Sequence, residues 1–156
     1  MAPVTPKPRI TESPRYLLKR AQAALHAALG PVLRERGATV AQYAVLTVLA
    51  EEPGLSNAEL ARRAFLTPQS MNETLRSLEE KRWVTRRPLP GHGRIRQARL
   101  TKDGREALRA CDEAAGAVED QMLSELGPAH RQQLTAALRA CIDALSGGDS
   151  KPKRAL

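Results

Sequence analysis

The sequence predicts a mainly α-helical fold carrying one small β-hairpin, and three observations lead there. Most apolar residues recur at three- and four-residue steps, the period of a helix buried on one side. One segment departs from that period: Trp83 to Leu100 is short, β-branched and basic, and it folds back around Gly91-His92-Gly93. Aromatic residues are scarce, with one Trp, two Tyr and one Phe, so the core must be built from leucine, alanine and valine, which suits helices. A chain of 156 residues fits one domain with a real core.

Residues 1–13 contain Pro3, Pro6 and Pro8 and read as a flexible proline-rich arm; its Lys7 and Arg9, with Arg15 just beyond, could touch DNA or a partner subunit, although a solvated tail is the plainer reading. From Pro14 to about Arg36, Leu18, Ala21, Leu25, Ala28 and Val32 form a helical stripe widened by Leu17, Leu29 and Leu33. Gly30-Pro31 is expected to bend or interrupt this helix. Gly37 ends it, and Thr39 caps a second helix from Val40 to about Glu51. Tyr43, Val45, Leu46, Val48 and Leu49 clothe that second helix nearly all round, which makes it central.

Three punctuation marks then organise Ser56 to Arg99. Ser56-Asn57-Ala58-Glu59 is a capping box that opens a short helix, Asn57 to about Arg63. A turn, Ala64 to Leu66, leads to Thr67-Pro68, an N-cap followed by proline at the first helical position. Two helices joined by so short a turn make a helix-turn-helix. The second, to about Arg82, buries Met71, Leu75 and Leu78 and turns Gln69, Asn72, Glu73 and Arg76 outward. Amide and guanidinium groups are the types that pair bidentately with adenine and guanine in a major groove, although a solvated polar face has the same composition. The hairpin that follows, with arginine at its tip, is a wing able to place a cation in a narrow minor groove.

Beyond the wing, Thr101-Lys102-Asp103-Gly104 opens a long alanine-rich helix, Asp103 to about Leu126. Gly127-Pro128 restarts the chain into a last helix ending near Leu145, with Leu134, Leu138, Ile142 and Leu145 in a row. Gly147-Gly148 stops it, and residues 147–156 form a loose basic tail. The first and the last two helices carry more apolar stripe than the winged part can cover, so a two-fold homodimer of terminal helices is expected.

Net charge is +8, and it is unevenly placed. Ser56 to Arg105 holds twelve Lys/Arg against five Asp/Glu, whereas Glu106 to Ser146 holds three against seven. A basic lobe beside an acidic one fits a polyanionic partner. No apolar run approaches the roughly 18 residues of a membrane span, and the first residues carry no apolar signal segment, so a cytoplasmic protein is expected. Cys111 and Cys141 lie in predicted helices without metal-ligand or redox-motif spacing. His26, His92 and His130 are scattered and join no nucleophile or metal set, so neither an enzyme, nor a metal, nor a cofactor is expected.

The runs Asn57-Ala58-Glu59-Leu60-Ala61-Arg62-Arg63, Thr67-Pro68-Gln69-Ser70-Met71-Asn72, Leu78-Glu79-Glu80-Lys81-Arg82-Trp83-Val84-Thr85-Arg86 and Leu100-Thr101-Lys102-Asp103-Gly104 resemble the MarR family of bacterial winged-helix regulators. The likeness spans about residues 14–146, as a single domain with its winged helix-turn-helix at about 38–100 and dimerisation helices at 14–36 and 103–146. It departs at the wing tip, where His92-Gly93-Arg94 replaces the acid-braced arginine of many members. The resemblance implies a homodimeric DNA-binding repressor released by a small aromatic acid. Thr67, Gln69, Ser70, Asn72 and Arg76 are then the recognition-helix contacts to double-stranded DNA, and His92, Arg94 and Arg96 the wing contacts. Ser56, Arg62, Arg63, Arg86 and Arg87 are phosphate candidates. His26, Arg36 and Tyr43 are candidates to line the effector pocket, although a core or interface histidine is the default reading of His26. Two other readings share the charge pattern: a non-specific architectural DNA-binding protein, and a winged helix that buries Gln69, Asn72 and Arg76 against a protein.

Overall fold

The computed structural model describes residues 9–88, 90–91 and 96–146. A 3-10 turn, Ile10–Glu12, leads into α1 (Pro14–Glu35), followed by α2 (Val40–Glu51), α3 (Asn57–Arg63) and α4 (Pro68–Glu80). Strands β1 (Val84–Pro88) and β2 (Arg96–Leu100) come next, then α5 (Lys102–Met122) and α6 (Pro128–Leu145). This is the mainly α fold with a small β-wing that the sequence predicts. Packing divides the chain after Val118.

Local caps set the helix starts. Thr39 and Gln42 form a full capping box at α2, and Ser56 and Glu59 form another at α3. Thr67 accepts from the Ser70 N–H at 3.1 Å, with Pro68 at the first helical position of α4. Three helices end alike. Ala38 N–H bonds to Leu33 O and Gly37 N–H to Arg34 O; Leu66 bonds to Ala61 and Phe65 to Arg62; Trp83 bonds to Leu78 and Arg82 to Glu79. Each is a Schellman pair, whose penultimate residue must be left-handed. Gly37 takes that place at φ +75°, but Phe65 at +55° and Arg82 at +59° take it with full side chains. A non-glycine residue there costs roughly 1 kcal/mol.

The main core joins Val45, Leu46 and Leu49 of α2, Leu60, Ala61 and Ala64 at α3, and Met71, Leu75 and Leu78 of α4. Val84, Ala98 and Leu100 of the wing and Leu108 of α5 close it. A second cluster of Leu33, Ala38 and Cys111 seats the end of α1 and its turn against α5. Burial pushes the Cys111 thiol pKa up.

One polar side chain is built into this interior. Gln42 is buried, and its Nε2 donates to Ser77 Oγ at 2.9 Å while its Oε1 accepts from Lys81 Nζ at 2.8 Å. Lys81 also donates to Gly37 O and lies 4.8 Å from the Trp83 ring centroid. The α1–α2 turn is thereby tied to the far end of α4. At the root of the wing, Thr101 N–H donates to Trp83 O at 3.0 Å, and Thr101 Oγ1 accepts from Gly104 N–H at 2.9 Å. Gly104 sits so close that a Cβ on it would lie 2.0 Å from Trp83 O.

Some element boundaries differ from the sequence reading or add to it. Gly30-Pro31 does not interrupt α1: the helix runs through Pro31, which removes a single ladder bond while buried Leu33 anchors the last turn. β1 includes Pro88, paired with Arg96 at the sheet edge where no N–H is required. Among the described residues the sheet has two strands, and the Gly54–Leu55 turn joins β2 through a backbone bond, Gly54 N–H to Ala98 O at 3.2 Å. α5 ends at Met122 rather than near Leu126, because Ser124 and Leu126 tighten to bonds three residues back.

The unit beginning at Glu119 is simpler. Arg131 Nε donates to Leu126 O at 2.9 Å, and its guanidinium lies 3.9 Å from Asp120. No α6 residue is buried, and Leu134, Leu138, Ile142 and Leu145 are all exposed. On α1, Leu17 and Leu18 are exposed as well.

Candidate nucleic-acid interface

α4 owes its position to what it buries. Met71, Thr74, Leu75 and Leu78 face inward, the Thr67 cap holds its start and Gln42 and Lys81 hold its end. The opposite face therefore stands outward on a fixed axis, with Gln69, Asn72, Glu73 and Arg76 exposed. At 1.5 Å per residue, Gln69 to Arg76 spans about 10 Å, close to the rise of three base pairs.

Their local partners differ. Gln69 Nε2 donates to Glu73 Oε1 at 3.3 Å, one turn along. Asn72 Oδ1 accepts from Asn57 Nδ2 at 3.1 Å, so α3 orients the amide from below. Asn57 is a positioning residue that sequence reasoning passed over as part of a capping box. Among the described residues Arg76 has no ion pair. Thr67 Oγ1 donates to Ser70 Oγ at 3.0 Å and accepts from the Ser70 N–H, so the Thr67 hydroxyl is committed to the cap, whereas Ser70 Oγ serves there as an acceptor.

The five phosphate candidates separate. Ser56 gives both its N–H (2.8 Å) and its hydroxyl (2.7 Å) to Glu59 Oε2, and these bonds hold the Glu59 pKa below the usual carboxylate range. An anion already fills that helix start. Arg63 pairs with Glu52, and Arg86 Nε donates to Glu79 Oε2 at 2.7 Å, clamping β1 to α4. Arg62 and Arg87 are exposed with no ion pair among the described residues, as is Arg96 on β2. His92 and Arg94 lie outside the described residues, so the wing is seen here only as its two strands. Unforeseen from sequence is Phe65, 95% exposed in the turn between α3 and α4.

The three pocket candidates have different surroundings. His26 lines a cleft of about 440 Å³ with Ala27, Gly30, Pro31, Arg34, Thr39, Val40 and Ala41. Arg34, not Arg36, supplies the cation there; Arg36 caps the end of α1. Tyr43 donates to Asp112 Oδ1 at 2.8 Å, and burial, followed by that bond, pushes the phenol pKa up to about 12. Among the described residues no cluster of His, Cys, Asp or Glu has metal-binding geometry, and no helix is long and apolar enough to cross a membrane.

A sequence model of the MarR family matches residues 36–95. The HTH-type transcriptional repressor Rv2887 of Mycobacterium tuberculosis is 38% identical over 111 residues, covering 71% of this chain and 80% of that protein. Crystal structures of Rv2887 with salicylic acid and with DNA superpose at a TM-score of 0.71 and 33% identity, covering 83% of this chain and 96% and 97% of those chains. The repressor CouR bound to a 23-mer DNA duplex superposes at 0.76 with 26% identity, over 85% of this chain and 94% of that one. With this agreement in both sequence and fold, the chain belongs to the MarR family of winged helix-turn-helix transcriptional regulators.

Proposed function

We propose that two copies of this chain form a homodimer that binds a pseudo-palindromic operator in double-stranded DNA and represses transcription until a small aromatic acid releases it. The observation that carries the reading is the outward face of α4, where Gln69, Asn72 and Arg76 stand exposed on a helix held at both ends. In a two-fold dimer these faces enter major grooves about one helical turn apart, roughly 10 base pairs. Arg62 and Arg87 neutralise phosphates, and Arg96 with the wing-tip His92 and Arg94 follows the minor groove. Ser56, Arg63 and Arg86 are better suited to holding the interface in shape, since their donors already serve carboxylates.

The uncovered apolar row of α6 and the exposed leucines of α1 support dimerisation, because a soluble monomer rarely leaves such surface open. The cleft beside His26 and Arg34 has the size and charge for an aromatic carboxylate, and a relative was crystallised with salicylic acid.

The test is a fluorescence-anisotropy titration with DNA from the gene's own upstream region and with scrambled DNA, at two salt concentrations. Tighter binding to the upstream DNA that survives the higher salt supports a sequence-specific regulator. Equal binding to both that collapses with salt favours an architectural protein, and no binding to either removes the DNA reading. Salicylate added to the complex should lower the anisotropy.

A further inference from the structure

The geometry points to Phe65 as an apolar DNA contact, packing its ring against the sugar and thymine-methyl edge of the strand that passes the start of α4. The inference rests on the DNA-binding reading and adds to it a determinant outside the recognition helix.

Phe65 occupies the left-handed position of the Schellman pair that ends α3, at φ +55°. Glycine is the residue this position favours, and Gly37 fills the equivalent place after α1. A bulky side chain is disfavoured there by its backbone, and this one is also 95% exposed, so it gains nothing from the core. Its neighbours behave oppositely: Ala64 is buried and Leu66 packs against the core. The turn thus pushes one large apolar ring outward while sealing itself on both sides. Two unfavourable features at one residue call for a compensating contact outside the isolated chain.

What surrounds the ring identifies that contact. Phe65 stands two residues before Thr67, the cap of α4, and recognition helices bring their N-terminal residues to the base edges. From Leu60 to Asn72 the chain carries two arginines and no carboxylate. Among the described residues between Leu18 and Met122 no other large apolar side chain is exposed, and nearby Arg62 has no ion pair there, which matches a polyanion with an apolar edge better than a hydrophobic protein surface. Phenylalanine against a thymine methyl or a deoxyribose is an established form of base-edge contact.

The experiment compares the full-length protein with Phe65→Gly and Phe65→Asn, two residues that accept a left-handed backbone. Each is titrated against upstream DNA, melted at equal protein concentration and sized by gel filtration. Both variants should keep the wild-type oligomeric state, melt no lower than wild type and bind about five- to twentyfold more weakly, the scale of one base–aromatic contact. Variants that bind like wild type would overturn the inference while leaving the DNA reading intact. Variants that melt lower or change oligomeric state would overturn it by showing the ring covered by protein. A wild-type chain that binds no upstream DNA would overturn both.

Discussion

Replacing Gly104 by alanine tests the packing that holds the wing against α5. The new Cβ would lie 2.0 Å from Trp83 O, 2.8 Å from Trp83 C and 3.2 Å from Trp83 Cα. All three are backbone atoms, so no side chain can swing away, and the start of α5 must retreat by about 1.4 Å before ordinary contact is restored. Overpacking of that kind costs about 1–3 kcal/mol. The retreat also stretches the Thr101 N–H to Trp83 O bond, now 3.0 Å, and the Thr101 hydroxyl contact with Arg82 O, now 2.7 Å. Such bonds contribute about 1 kcal/mol each. Against this, alanine in place of glycine in a helix stabilises by up to about 1 kcal/mol. The net expectation is a loss of about 2–3 kcal/mol, which lowers the melting temperature by roughly 4–12 °C for a chain of this size. Thermal unfolding followed by circular dichroism at fixed protein concentration measures it. Helix propensity alone predicts the opposite sign, so a Gly104→Ala protein as stable as wild type, or more so, would refute the reasoning.

Gln42→Ala removes half of the α2 capping box and the bond to Ser77, and leaves the Lys81 ammonium one acceptor short; urea unfolding should give a loss of about 1–3 kcal/mol. Arg82→Gly relieves a left-handed residue at the end of α4 and should leave stability unchanged or raise it by up to about 1 kcal/mol, read from the same unfolding curves. Glu59 has a folded pKa below its unfolded one, so its stabilisation is present above the ordinary glutamate range and is lost as pH falls through the lowered value. Glu59→Gln keeps a capping amide but cannot titrate; the stability gap between wild type and variant should therefore shrink as pH falls from 6 towards about 3, the span around the usual glutamate pKa.

The helix-turn-helix was legible in the sequence because capping is local. Ser56, Thr67 and Pro68 mark helix starts through bonds that reach only three residues, and the structure begins α3 and α4 there. Met71, Leu75 and Leu78 were likewise legible, since one apolar face of an amphipathic helix has only one direction to be buried. What escaped depends on contacts between distant residues. Gln42 reads as a polar position on an apolar helix, and only its meeting with Ser77 and Lys81, more than thirty residues on, explains its burial. Gly104 reads as an ordinary helical glycine until Trp83 O is found against it. Arg63 and Arg86 look like phosphate ligands in a basic run, yet Glu52 and Glu79 are brought to them by the fold. Phe65 falls in the turn that the sequence marks between the two helices, but nothing local says that its ring stands 95% exposed on a left-handed backbone.

The most direct measurement of the central claim separates reading from charge. Arg76→Ala and Arg87→Ala are each titrated against upstream and scrambled DNA over a series of salt concentrations. Arg76 stands on the outward face of α4, so its loss should weaken upstream binding by about 1–3 kcal/mol and shrink the preference over scrambled DNA. Arg87 on β1 should instead weaken both DNAs alike and lower the salt slope by about one phosphate. An Arg76→Ala protein that keeps the wild-type preference for upstream DNA would contradict the assignment of α4 as the element that reads sequence.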